Sequence, residues 1–254
     1  MFNYNPITEI SFLSLRVNVW GLFLTAGFLA GLFLAFSLAK KNGQDGAEKG
    51  HLLNLSIIIL ILGIAGARML YALENFSYFS HNFWEIFDLS TGGLSFFGGF
   101  LLSLAGAFLY LKKNKQNFWK FVDILSLSAL LGMTFGRIGC FLAHDHLGEI
   151  MKNSFFLGVK LNGAVYHDPA LYLLTTNAIL FLISFYLYVK IKQRGWIFLI
   201  FLAGLGFSRL FWDFFRVDPI FWGLTVAQWI TLPILVFSAC LLISLIKQKN
   251  KLKL

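Results

Sequence analysis

The chain has 254 residues, of which 58% are hydrophobic, 18% aromatic and only 13% charged. Soluble domains carry about a quarter charged residues, so this composition lacks the polar surface to cover a soluble globule. The net charge of +9 would suit a nucleic-acid surface, but the basic residues lie in linkers between apolar runs, which argues for membrane lipid and against nucleic acid as a partner.

Seven apolar segments follow one another at 19–39, 52–74, 94–111, 120–143, 170–189, 196–214 and 225–246, each about the length that crosses a bilayer as a helix. They are apolar all round, which excludes the amphipathic helices of a soluble bundle. The linker after the first span carries Lys40, Lys41 and Lys49; that after the third, Lys112, Lys113, Lys115 and Lys120. The linker after the fifth has Lys190, Lys192 and Arg194, and the C-terminus has Lys247, Lys249, Lys251 and Lys253. Basic residues at every second boundary place those linkers in the cytoplasm. The expected fold is therefore all-α: a polytopic membrane protein of about seven transmembrane helices, N-terminus outside and C-terminus cytoplasmic. It forms a single domain over 1–254, with a short external insertion at about 144–169 that holds a glycine-containing stretch suited to a hairpin. The first segment lacks a basic leader and reads as a true span rather than a cleaved signal. Cys140 and Cys240 make no disulfide framework.

Charges inside the spans are informative because an arginine there costs several kcal/mol by most estimates. Arg68, Arg137 and Arg209 sit in the outer halves of their segments, and Arg216 follows at an external end. Arg209, Asp213 and Arg216 are spaced i, i+4, i+7 on one helical face, so Asp213 can satisfy one arginine and leaves a positive excess. The guanidinium fork suits phosphate, and a phospholipid head group is the anion at that depth. Around Arg137 the sequence runs Gly136-Arg137-Ile138-Gly139-Cys140-Phe141, then His144-Asp145-His146 and Gly148; His167-Asp168-Pro169 starts the next span, with Asp168 as cap and Pro169 in the first turn.

These stretches resemble, in order, elements of the bacterial prolipoprotein diacylglyceryl transferases. Gly66-Ala67-Arg68 resembles that family's Gly-Ala-Arg, and Gly92-Gly93-Leu94-Ser95-Phe96-Phe97-Gly98-Gly99 its Gly-Gly-Met-Ser-Phe-His-Gly-Gly. Gly136-Arg137-Ile138-Gly139, Phe141, Asp145 and Gly148 resemble its signature, Gly-Arg-x-Gly-Asn-Phe-x-Asn-x-Glu-x-x-Gly. Arg209 to Arg216 resembles Arg-Phe-x-x-Glu-Phe-Phe-Arg. The resemblance implies transfer of the diacylglyceryl group of phosphatidylglycerol to the lipobox cysteine of a prolipoprotein signal peptide. A thioether forms, glycerol phosphate leaves, and no metal or organic cofactor takes part. It also implies a bacterial cytoplasmic (inner) membrane and an active site toward the external face.

Among the departures from the family pattern, Phe97 stands at its histidine, Cys140 at the first asparagine of its signature, Asp145 and Asp213 at two of its glutamates, and Leu173 at the glutamate of its external Pro-x-Gln-Leu-Tyr-Glu element. The chemistry needs a thiolate and a cation for the departing phosphate. The catalytic candidates are Arg137, Arg209, Asp145, His144 and His146, with His144, His146, Asp145 and His167 as alternative bases. Arg68, Arg137, Gly98, Gly99, Gly148, Asp213 and His167 are the candidates for holding substrate. Three rival readings remain. A metal-dependent membrane hydrolase would use Cys140, His144, His146 and His167; an anion transporter lacks the internal repeats expected of one; an inactive lipid- or lipoprotein-binding relative would keep the fold without the reaction.

Overall fold

The computed structural model describes residues 2–3, 6–12, 15–41, 46–89, 92–144, 147–151 and 157–251. The helices are α1 (Val19–Lys41), α2 (Gly46–Glu74), α3 (Phe76–Phe79), α4 (Phe96–Lys113), α5 (Phe118–Ala143), α6 (Pro169–Lys190), α7 (Trp196–Trp212) and α8 (Val226–Lys251). All but α3 are long and apolar enough to cross a membrane, α7 with the help of a 3-10 turn at Asp213–Phe215. Helices dominate because no water in the hydrocarbon region can satisfy a backbone N–H or C=O, and a helix satisfies them internally.

The chain is not purely helical. Among the described residues seven short strands lie before the first helix or between helices: β1 (Phe2–Asn3), β2 (Glu9–Phe12), β3 (Leu15–Asn18), β4 (Val159–Leu161), β5 (Ala164–Tyr166), β6 (Ile220–Phe221) and β7 (Leu224–Thr225). β2 pairs antiparallel with β3, β6 with β7, and β4 with β5, and β1 adds to β4 in parallel. The expected hairpin within the 144–169 insertion is β4–β5, turning at Asn162 and Gly163, whose φ values of 49° and 84° are those of a tight two-residue turn. The β6–β7 hairpin turns likewise, at Trp222 and Gly223.

The described chain divides into two compact units, Met1–Ala35 with Val122–Leu254, and Phe36–Phe121. In the second unit α2 packs along α4. A Cβ on Gly66 or Gly98 would run into the other's carbonyl oxygen, and one on Gly99 would stand 2.6 Å from the Gly63 carbonyl. Such small residues let helix backbones touch where lipid offers no hydrophobic drive to associate.

In the first unit α7 packs against α6 and α8. Of its apolar window 56% is buried, against 11% for α8, which makes α7 the core element. Its start is fixed by Asp123 of α5, whose carboxylate accepts from the N–H of Gly195 (2.6 Å) and of Phe198 (2.9 Å). Gly195 is needed there because its φ of 89° suits only glycine. A carboxylate at a helix N-terminus satisfies orphan donors and meets the positive end of the dipole. α1 crosses α5 through Gly27 and Gly31, where added Cβ atoms would stand 2.7 and 2.8 Å from the carbonyl oxygens of Gly132 and Ser128.

A cationic candidate site in the first unit

Four charged residues lie within electrostatic reach of one another: Arg137 on α5, Arg209 near the end of α7, Asp213 and Arg216. Arg209 and Asp213 form the expected i, i+4 pair, Nη1 to Oδ1 3.5 Å, with side chains 5% and 0% exposed. Arg216 does not continue that face. The helix tightens into the 3-10 turn and ends at Phe215, so Arg216 turns away to meet Asp218, Nε to Oδ2 2.8 Å and Nη2 to Oδ1 3.3 Å. Arg137 differs from both: among the described residues it has no carboxylate within ion-pair distance, and its hydrogen-bond partner is the Cys140 sulfur, 3.9 Å from Nη1. A guanidinium in such surroundings can donate to an anion, and an apolar environment strengthens such an attraction.

The floor beside these residues is a small backbone lattice. Gly148 bridges antiparallel to Arg216, and Ile150 to Tyr166. Gly148 N–H donates to His167 O (2.8 Å), His167 N–H to Glu149 O (2.9 Å) and Glu149 N–H to Phe215 O (3.1 Å). A Cβ on Gly148 would collide with the Phe215 carbonyl oxygen and stand 3.0 Å from the His167 Cβ, so only glycine closes this seam. His167 places Nδ1 2.9 Å from the Tyr172 hydroxyl and its ring 4.6 Å from that of Phe215. Burial pushes the His167 imidazole below its ordinary pKa, opposed by Glu149.

His144 follows the last residue of α5 in a left-handed conformation, φ 50°. Its Nδ1 lies 3.2 Å from Asp168 Oδ2, and both side chains are 2% exposed. Asp168 is the cap expected for α6, its Oδ1 accepting from Leu171 N–H at 3.0 Å, with Pro169 in the first turn. Burial raises the Asp168 carboxyl above the usual carboxylate range, opposed by the Leu171 N–H and by His144. Asp145 and His146 lie outside the described residues.

Three expected substrate residues belong to the second unit. Arg68 is 4% exposed, and its guanidinium donates to five backbone carbonyls of one loop: Glu85, Ile86 (2.9 Å), Asp88 (2.7 Å), Gly92 and Gly93 (3.1 Å). It also lies 5.3 Å from the Phe79 ring centre. Every N–H of a guanidinium is thereby used. Gly98 and Gly99 sit in the contact between α2 and α4. Phe97 is buried against Phe96, ring centres 5.3 Å apart, so the position carries an apolar ring. Of the residues named for a metal-dependent rival, Cys140 meets Arg137, His144 meets Asp168 and His167 meets Tyr172, three different partners.

Sequence reasoning missed Asp123 and the partnership of His144 with Asp168. An acid inside an apolar span was a visible signal for the first; the second joins residues 24 apart in sequence, with no local pattern to announce it.

A family model described as prolipoprotein diacylglyceryl transferase matches residues 8–244. The chain is similar to the phosphatidylglycerol–prolipoprotein diacylglyceryl transferase of Clostridium botulinum (strain Loch Maree / Type A3), 28% identical over 247 residues that cover 94% of this chain and 96% of that protein. It is similar to the protein of the same name from Finegoldia magna, 27% identical over 240 residues, covering 94% and 95%. A third, from Bacillus mycoides, is 28% identical over 235 residues, covering 88% and 86%.

Proposed function

The chain belongs to the prolipoprotein diacylglyceryl transferase family, and from that premise we propose that it moves the diacylglyceryl group of phosphatidylglycerol onto the lipobox cysteine of a prolipoprotein, with Arg137 and Arg209 at the departing phosphate. The acceptor sulfur attacks the glyceryl carbon, the carbon–oxygen bond to phosphate breaks, and glycerol phosphate leaves with the electron pair. The barrier falls when cations already in place meet the charge that develops on that phosphate. The observation that carries the reading is Arg137, a guanidinium in an apolar helix with no carboxylate within ion-pair distance among the described residues. Asp213 holds Arg209, and Gly148 with His167 shapes the backbone seam beside them.

The alternation of basic linkers supports an N-terminus outside and a C-terminus in the cytoplasm, so the site opens toward the external face of a bacterial inner membrane. The test is transfer in phosphatidylglycerol vesicles with a lipobox peptide, read as thioether product by mass. Product that requires phosphatidylglycerol supports the reading; folded protein that yields none contradicts it.

A further inference from the structure

The proposed transfer needs a thiolate, yet a free cysteine thiol titrates near pH 8.5, and arginines that never lose their protons cannot take the proton from it. We propose that His144 is the general base of the transfer and that Asp168 is its positioning residue; the inference rests on the transfer reading above.

Three observations converge. The His144 Nδ1 is 3.2 Å from Asp168 Oδ2, with both side chains almost wholly enclosed. The carboxylate is itself fixed, because its other oxygen caps α6 through Leu171 N–H. An imidazole whose Nδ1–H faces a held carboxylate is set in one tautomer and orientation, so Nε2 becomes the nitrogen that accepts a proton. Second, His144 adopts φ 50° at the end of α5, where a helix ordinarily places glycine. A β-carbon is disfavoured there, and such outliers cluster where the surroundings hold a side chain for use. Third, Asp168 directly follows His167, whose carbonyl oxygen accepts from Gly148 N–H, and Gly148 bridges to Arg216, so the pair adjoins the backbone seam beside the cationic residues. Among the described residues the titratable side chain that feels the pair is Tyr172, through Asp168, and Tyr172 in turn meets His167, the residue before Asp168.

The step balances. His144 Nε2 takes the S–H proton as the sulfur–carbon bond forms and the carbon–oxygen bond breaks. The imidazolium then gives that proton to the released phosphomonoester, whose second pKa is near 6, or to water.

The experiment follows transfer in phosphatidylglycerol vesicles from pH 6 to 9.5 for wild type, His144→Asn and Asp168→Asn. Asparagine tolerates positive φ and can still donate to Asp168, so His144→Asn preserves the junction. It is expected to lower kcat/KM by about 10²–10⁴-fold at neutral pH, with much of the loss recovered as the pH approaches that of the free thiol. Asp168→Asn keeps an oxygen for Leu171 N–H and falls between wild type and His144→Asn, with the same recovery. An unchanged rate in His144→Asn, or a loss equal at every pH, overturns the base and leaves a structural pair. A wild type without product overturns the transfer reading and this inference together. If His144→Asn fails to fold, Asp168→Asn and its pH dependence decide.

Discussion

Near the end of α2, Arg68 donates to five backbone carbonyls of one loop. On α5, Arg137 meets the Cys140 sulfur and, among the described residues, no carboxylate within ion-pair distance. Both are arginines in apolar helices, and residue type alone gives them the same functional expectation. What separates them is where acceptors lie. A guanidinium ringed by carbonyls orders a loop; the ligand role proposed for Arg137 starts from a fork that meets no carboxylate among the described residues. Arg209 and Arg216 fall between, each facing one carboxylate.

Four changes break or sharpen this contrast. Arg137→Ala is expected to cut transfer about 10²–10³-fold, as loss of a preorganised donor to developing charge does elsewhere, while thermal melting stays near wild type. Arg68→Met leaves buried carbonyls without a donor and should destabilise by about 3–5 kcal/mol. Hydrogen exchange across 85–93 should rise, while activity per folded molecule holds. Gly98→Val drives a side chain into the Gly66 carbonyl and should cost about 1–3 kcal/mol in melting experiments. Asp123→Ala removes the cap on α7 and should cost about 1–2 kcal/mol, with transfer falling only as far as folded protein does.

The spans were legible in the sequence because hydropathy is a local property. α5 and α6 begin and end within two residues of expectation, whereas α2 starts at Gly46 rather than 52, since its polar first turns are helical without being apolar. The Asp168–Pro169 helix start and the Arg209–Asp213 pair were legible too, as both are local. Arg216 was read onto the α7 face, which ends where the 3-10 turn begins. β2–β3 and β6–β7 were missed: their strands have four residues at most, too few for an alternating pattern to stand out. The acceptors of Arg68 were invisible because they are backbone carbonyls, which carry no residue identity. His144 and Asp168 required the tertiary fold to bring α5 and α6 together.

The most direct test sets Arg137→Lys beside Arg68→Lys in the same vesicle assay, with kcat/KM corrected for the folded fraction. Lysine keeps the charge but loses the fork. The account predicts that Arg137→Lys melts like wild type and transfers about 10–100-fold more slowly, the value of one charged hydrogen bond, whereas Arg68→Lys melts lower and transfers normally per folded molecule. Full activity in Arg137→Lys, or a loss of activity per folded molecule in Arg68→Lys, would contradict it.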